Sequence, residues 1–231
     1  QVEPYIAELA DAVKKLIAEA GVEGKVRGIG VGAPNGNYYT GTIENAPNLK
    51  WAHDRVEFSK LLSEAMGGLP VALTNDANAA AYGEYMAGAG KGTQDFITIT
   101  LGTGVGSGII INGKLFTGSN YAGGELGHTV MLYNGQQCTC GRKGCFEAYA
   151  SATALIRQTK EQMEIDKESK MWEIVSGDIS KVSGRTAFDA MRLGDETAKA
   201  VVDQYIYYVS VGIINIINTF QPEFICIGGG I

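Results

Sequence analysis

The sequence predicts an α/β protein, and a few observations carry that prediction. Short runs of β-branched residues alternate with stretches of helical spacing along 231 residues, the pattern of strands layered with helices. One β-meander interrupts the alternation. Glycine, at 32 residues, is about twice its usual share. It gathers at 28–36, 102–108, 118–127 and 228–230, which suggests ligand loops lined by backbone rather than a linker.

The elements follow in order. Ile6, Leu9, Ala10, Val13, Leu16 and Ile17 share one helical face, and Gly21 stops that helix. Residues 26–31 read as a strand entering the turn Gly32-Ala33-Pro34-Asn35-Gly36, and residues 41–51 read as a polar loop holding Asn45 and Asn48. Phe58, Leu61, Leu62 and Ala65 predict a second helix, closed by Gly67-Gly68. Residues 71–74 form a buried strand that delivers Asn75 and Asp76 at its carboxyl end, and an alanine-rich helix spans 78–87. The segment Gly88 to Gly92 reads as a hinge, dividing the chain into an N-terminal α/β domain, 1–92, and a C-terminal α/β domain, 93–231. Beyond it come a strand at 96–101, a tight GTGVG turn, and a returning strand at 107–111. Asn112-Gly113 then predicts a hairpin into 114–116. Residues 146–163 read as one helix and 164–184 as a surface excursion. Asp195 caps a helix to about 219 whose apolar positions wrap most of its circumference, so it is expected to be largely buried. A last strand, 224–227, ends in Gly228-Gly229-Gly230.

Composition excludes several classes. A net charge of −6 without a basic stripe argues against a nucleic-acid partner. The longest apolar run, 209–220, is broken by Asn215 and Asn218 and is too short to span a bilayer. Three of the four cysteines fall in one motif and leave Cys226 alone, so a disulfide framework is not expected and a reducing, cytoplasmic setting is.

The chemistry concentrates between Gly123 and Glu147. Cys138, Cys140 and Cys145 form C-x-C-x4-C, with His128 ten residues upstream. One imidazole and three thiolates make a closed tetrahedral set suited to structural zinc. Glu125 precedes His128 by three residues and Glu147 follows Cys145 by two, so a metal that fixes the ligands also fixes both acids. The second ring nitrogen of a metal-bound imidazole seeks a further partner, and a ligand hydroxyl would serve. Glu125, Glu147 and Asn48 are of the kind that reads sugar hydroxyls. Gly102-Thr103-Gly104, between two strands, is a phosphate loop or merely a glycine hairpin. It is neither a Walker A loop nor a dinucleotide fingerprint, because a strand follows. Asp76 is a general base for a hydroxyl or an N-cap, and Asn78 is a competent cap as well. His53 reads as a solvated loop residue, and Trp51 and Trp172 carry no site signal.

The segments TNDANAAAYGE (74–84), TLGTGVGSGIIINGKL (100–115), GGELGH (123–128) and CTCGRKGCFEAYAS (138–151), with ENAPNLKW and the closing IGGGI, resemble the ROK family of bacterial sugar kinases and sugar-responsive repressors. Among these they are most similar to the kinases that phosphorylate glucose. The resemblance implies an actin-like, ribonuclease H-like fold whose two α/β domains close over ATP, Mg²⁺ and a hexose. By the family pattern Asp76 is the base for the sugar 6-hydroxyl, while Asn48, Asn75, Glu125, His128 and Glu147 hold the sugar. Gly102, Thr103 and Gly104 face the ATP phosphates, Gly228, Gly229 and Gly230 approach the adenosine, and His128, Cys138, Cys140 and Cys145 bind zinc. A homodimer or tetramer is implied too. The alternative is a sugar-sensing repressor whose DNA-binding segment lies outside this chain. The family's opening Asp-x-Gly-Gly-Thr loop and its adenosine-binding helix after the last strand are both missing here, so the chain is expected to be the middle of a longer protein, keeping the sugar half of the site and lacking full ATP competence.

Overall fold

The structure, a computed structural model, describes residues 2–44, 46, 49, 51, 54–119 and 121–231. Asn45, Asn48 and His53 lie outside the described residues.

The first core forms around a parallel strand pair. Helix α1 (Val2–Glu19) and helix α2 (Phe58–Ala65) bury Ile6, Ala10, Phe58 and Leu62 beside Leu73. Leu73 belongs to β4 (Val71–Thr74), which pairs in parallel with β1 (Ile29–Gly32). Trp51 belongs to this core, stacked on Phe58 at 5.9 Å. The expected strand 26–31 is shorter and shifted. The expected polar loop 41–51 instead begins as a strand, because Thr42 and Ile43 are fully buried. They form β3 (Thr42–Ile43), antiparallel to β2 (Gly36–Asn37).

Helix α3 (Asp76–Ala87) starts at Asp76, two residues before the expected 78. Its cap is Asn75, whose side-chain oxygen accepts from Ala77 N–H at 2.8 Å and Asn78 N–H at 3.3 Å. That settles the cap question on geometry, since Asn75 has the extended backbone a cap requires. Asp76 is a first-turn residue, exposed at the helix start.

The second layer is a four-stranded sheet in the order β7-β6-β5-β8. Strand β5 (Phe96–Leu101) pairs antiparallel with β6 (Val105–Ile111) and parallel with β8 (Phe224–Gly229); β6 also pairs with β7 (Lys114–Leu115). Helix α3 lies across this sheet. A Cβ on Gly108 would stand 2.3 Å from the Ala81 methyl and 2.8 Å from the Ala77 carbonyl, so glycine there sets how closely the helix approaches. Gly108→Ala is expected to cost about 2 kcal/mol and to push the start of α3 off the sheet, which a denaturant melt would register.

The expected helix 146–163 is broken into α4 (Glu147–Ala150) and α5 (Ala152–Ile165). Ser151 sits between them in extended conformation and accepts from Ala154 N–H at 3.1 Å. The 164–184 segment is not merely a surface excursion. It contains α6 (Met171–Ile174) and buries Met171, Val175 and Val182 against α7 (Thr186–Arg192) and α8 (Glu196–Phe220).

Helix α8 is 25 residues long and, among the described residues, is the one helix long and apolar enough to cross a membrane by length and composition. It is less buried than its pattern suggests. Val201, Val202, Tyr205, Gly212 and Ile216 are buried, whereas Ile206, Tyr207, Ile214 and Ile217 are exposed. Its cap, Asp195, is itself buried. Burial raises the pKa of the Asp195 carboxyl, but donors from Ala198 N–H, Ser169 Oγ and Lys170 N–H outweigh that and hold it below its ordinary value of 3.8. A depressed carboxylate stabilises the fold above its unfolded pKa, and that contribution is lost as pH falls through the folded value. Asp195→Ala is therefore expected to cost about 2 kcal/mol at pH 7. The gap from the parent should close in melts at progressively lower pH below 3.8.

Candidate functional site

Strand ends and turns converge on a cavity of about 380 Å³ lined by Asn35, Gly36, Asn37, Glu44, Asn75 and Asn78 on one side and Ser107, Tyr121, Glu125 and His128 on the other. A larger cavity of about 420 Å³ between α5 and α8, against Tyr149 and Arg157, holds none of the residues singled out from sequence. The smaller one is the candidate site, because it gathers residues singled out from sequence.

Each wall has a local cause. Parallel pairing carries β1 and β4 to a common end, where Ala33 N–H donates to Thr74 O at 2.9 Å, setting Asn35 and Asn37 beside Asn75. On the other wall Ser107, buried on β6, donates to Gly124 O and accepts from Leu126 N–H at 3.1 Å. That two-way bond ties the loop carrying Glu125 to the sheet. Glu125 is exposed as a residue, yet its carboxylate faces the concavity. Desolvation there pushes its pKa up, the nearby imidazole of His128 opposes the shift, and the charges of Asp76 and Glu147 add to it. Asp76 and Glu147 are not lining residues, but both lie within electrostatic reach of Glu125.

Below this wall lies the cysteine motif. The ligand atoms of His128, Cys138, Cys140 and Cys145 all fall within 4.8 Å of one another. Cys140 Sγ and Cys145 Sγ are 3.7 Å apart, too far for a disulfide, and Cys138 Sγ is 3.6 Å from His128 Nδ1. A tetrahedral ion with zinc-like bond lengths requires about 3.8 Å between sulfurs and about 3.6 Å between sulfur and nitrogen. The donor set fits. Burial pushes the Cys145 thiol up to about 12, so a cation is what would make it a thiolate at neutral pH. Gly144 makes the turn possible, with φ 82° and a backbone that touches Leu132 O so closely that any Cβ would collide. With Nδ1 on the cysteine side, Nε2 of His128 is left for the cavity.

Glu147 joins the knot to the glycine turn. Its carboxylate accepts from Val105 N–H at 3.0 Å and Thr139 Oγ1 at 3.1 Å, and Cys138 Sγ lies 3.7 Å away. The turn itself, Gly102-Thr103-Gly104, is closed by Gly102 N–H to Gly104 O at 3.0 Å. It is anchored to the start of α5, where Ala152 N–H donates to Gly102 O at 2.8 Å and Thr153 Oγ1 to Thr103 O at 2.8 Å. In the register of β5 with β8, Thr100 faces Gly228 and Leu101 faces Gly229, and Gly230 N–H donates to Leu101 O at 2.9 Å. The two glycine segments therefore meet at the carboxyl ends of parallel strands, where open α/β sheets bind ligands.

The structure thus gathers Asn75, Glu125 and His128 in one cavity, sets Asp76 and Glu147 near it, and places Gly102–Gly104 beside Gly228–Gly230. Sequence reasoning missed Asn35, Asn37, Glu44, Asn78, Ser107 and Tyr121. For Asn35 and Tyr121 the feature that marks them is backbone, φ 54° and 63°, which residue type alone does not announce.

Strand-end glycine turns, a helix crossing from one sheet to the other and a cavity between them fit the actin-like ATPase fold class, which the family match and the solved ROK neighbours support. Residues 3–231 match the ROK family. The chain is 40% identical to a glucokinase of Halalkalibacterium halodurans over 229 residues, covering 96% of this chain and 67% of that protein. It is 32% identical to a xylose repressor of Caldicellulosiruptor bescii, covering 98% of this chain and 56% of that protein. The crystal structure of a ROK family glucokinase from Streptomyces griseus in complex with glucose and AMPPNP superposes with a TM-score of 0.81 at 35% identity, covering 96% of this chain and 72% of that one. The chain belongs to the ROK family.

Proposed function

We propose that the protein phosphorylates a hexose, glucose first among them, at its 6-hydroxyl with ATP, and that Asp76 is the general base. The observation that carries this reading is the cavity itself, where hydroxyl-reading groups on two walls adjoin an exposed carboxylate at the start of α3. Likeness to glucokinases over 96% of the chain supports it. Asn75, Glu125 and His128 hold the sugar, with Glu147 beside them and Asn48 joining from outside the described residues. Asp76 accepts the hydroxyl proton and orients the oxygen for in-line attack. Gly102–Gly104 take the phosphates of ATP with its Mg²⁺, and Gly228–Gly230 take the adenosine. Zinc, held by His128, Cys138, Cys140 and Cys145, supplies no chemistry to the transfer and fixes the loop that bears Glu125.

Domains at 1–92 and 93–231 complete the proposal. One apolar core draws only on residues before 92 and two only on residues after it, with α3 as the element that touches both sheets. Closure of such halves around substrate excludes water from the transfer. The setting is cytoplasmic and the assembly a homo-oligomer, as in the sequence reading. Likeness to a xylose repressor favours a second reading, a sugar sensor that binds without turnover. ADP release by the complete gene product with Mg-ATP across a panel of hexoses tests the proposal. Turnover on one sugar supports the kinase, while zinc-bound protein that is protected by sugar yet releases no ADP supports the sensor.

A further inference from the structure

Two tyrosines at the mouth of the cavity have no part in the chemistry above. Tyr39, from the β2–β3 turn, stacks on Tyr121, from the loop after β7, with ring centroids 4.2 Å apart and planes at 28°. Tyr38 stands edge-on to Tyr39 at 5.5 Å. Tyr39 is 62% exposed and Tyr121 43% exposed, so no core holds the pair together. Their loops do. Asn37 Oδ1 accepts from Tyr39 N–H at 3.0 Å and Thr40 N–H at 3.3 Å, shaping the turn that presents the ring. The loop of Tyr121 is pinched at its base, where Gly123 N–H donates to Thr117 O at 2.8 Å and the backbones of Gly118 and Gly123 touch. At its tip Tyr121 has φ 63°, a conformation that costs a bulky residue and that tends to be kept where a ligand needs it. Tyr121 and Asn37 both line the cavity.

We infer that Tyr39 and Tyr121 form an aromatic clasp that confines the cavity to a single unsubstituted hexose ring, and so determine specificity. The inference rests on the hexose reading above. Hydrogen bonds from Asn75, Glu125 and His128 select hydroxyls, which a substituted sugar can also offer. Rejecting the larger sugar needs a steric element, and the clasp supplies it. An N-acyl group, an O-alkyl group or a second ring has to part the stack, at a cost of about tenfold in affinity.

Equilibrium binding tests this without requiring turnover. Calorimetry with glucose, N-acetylglucosamine, methyl glucoside and maltose is run on the parent, Tyr39→Ala, Tyr121→Gly and Tyr39→Phe. The glycine accommodates the left-handed backbone and the phenylalanine keeps the stack. Discrimination between glucose and at least one substituted sugar should fall about tenfold in Tyr39→Ala and Tyr121→Gly and stay at the parent ratio in Tyr39→Phe. If Tyr121→Gly fails to fold, Tyr39→Ala, on an exposed turn, carries the test. An unchanged ratio in Tyr39→Ala overturns the clasp, as does a parent that binds maltose as tightly as glucose. A parent that binds no hexose at all overturns the sugar reading, and the clasp with it.

Discussion

Asp76→Asn is expected to lower hexose-dependent ADP release by roughly 10³-fold, within the range of a positioned general base, while glucose affinity changes little. The substitution keeps size and hydrogen-bonding capacity and removes only the ability to accept a proton. Its structural cost is small because Asp76 is exposed and does not cap α3; Asn75 does, through Ala77 and Asn78 N–H. Asp76 Oδ1 accepts from Ala77 N–H at 2.9 Å, a bond the asparagine oxygen can keep. A loss of turnover in this variant therefore reports chemistry rather than a frayed helix. The steady-state signature is a fall in kcat with KM for glucose near the parent value. Turnover within a few-fold of the parent would remove Asp76 from the mechanism.

Removing one cysteine of the knot is expected to have the next largest effect. Cys140 is the most informative position because it is exposed, whereas Cys138 and Cys145 are buried and their loss would also disturb packing. Cys140→Ala should lower zinc affinity by more than about 100-fold and weaken glucose binding by at least about tenfold. The second effect follows from connectivity. His128 offers Nδ1 to the knot and its other ring nitrogen to the cavity, Glu125 lies three residues upstream, and Glu147 bonds the knot at Thr139 and the glycine turn at Val105. Zinc content and calorimetry on the same preparation check both. Affinity for zinc should also decline as pH falls, because protons compete for the thiolates and imidazole. A zinc-free variant that binds glucose as the parent does would separate the knot from the sugar site.

The parts of this account that could be read from sequence are those fixed by local chemistry. C-x-C-x4-C with an upstream histidine has one compact solution, and the four donors converge as that spacing implies. The Asn112-Gly113 hairpin stands because Asn112 has φ 51° and Gly113 φ 70°, which that dipeptide favours. What escaped depends on tertiary context. Ser151 breaks an otherwise helical run by satisfying Ala154 N–H with its own side chain, and the same serine could have faced solvent mid-helix. Thr42 and Ile43 read as loop because a two-residue strand has no period to detect. The apolar circumference of α8 implied burial all round, but only one stripe meets α5, α7 and the sheet. Base and cap are confounded at Asp76 because an aspartate carboxylate serves both roles, whereas the cap is in fact Asn75, whose side-chain oxygen accepts from Ala77 and Asn78 N–H. Only the extended backbone of Asn75 separates them.

The measurement that bears most directly on the central claim is product analysis. Glucose and Mg-ATP are incubated with the complete gene product, parent and Asp76→Asn, and hexose 6-phosphate and ADP are quantified together. The account predicts equimolar glucose 6-phosphate and ADP from the parent, and neither above background from the variant, which still binds glucose. Parent protein that binds glucose and forms no sugar phosphate, or a variant that forms it at the parent rate, would contradict it.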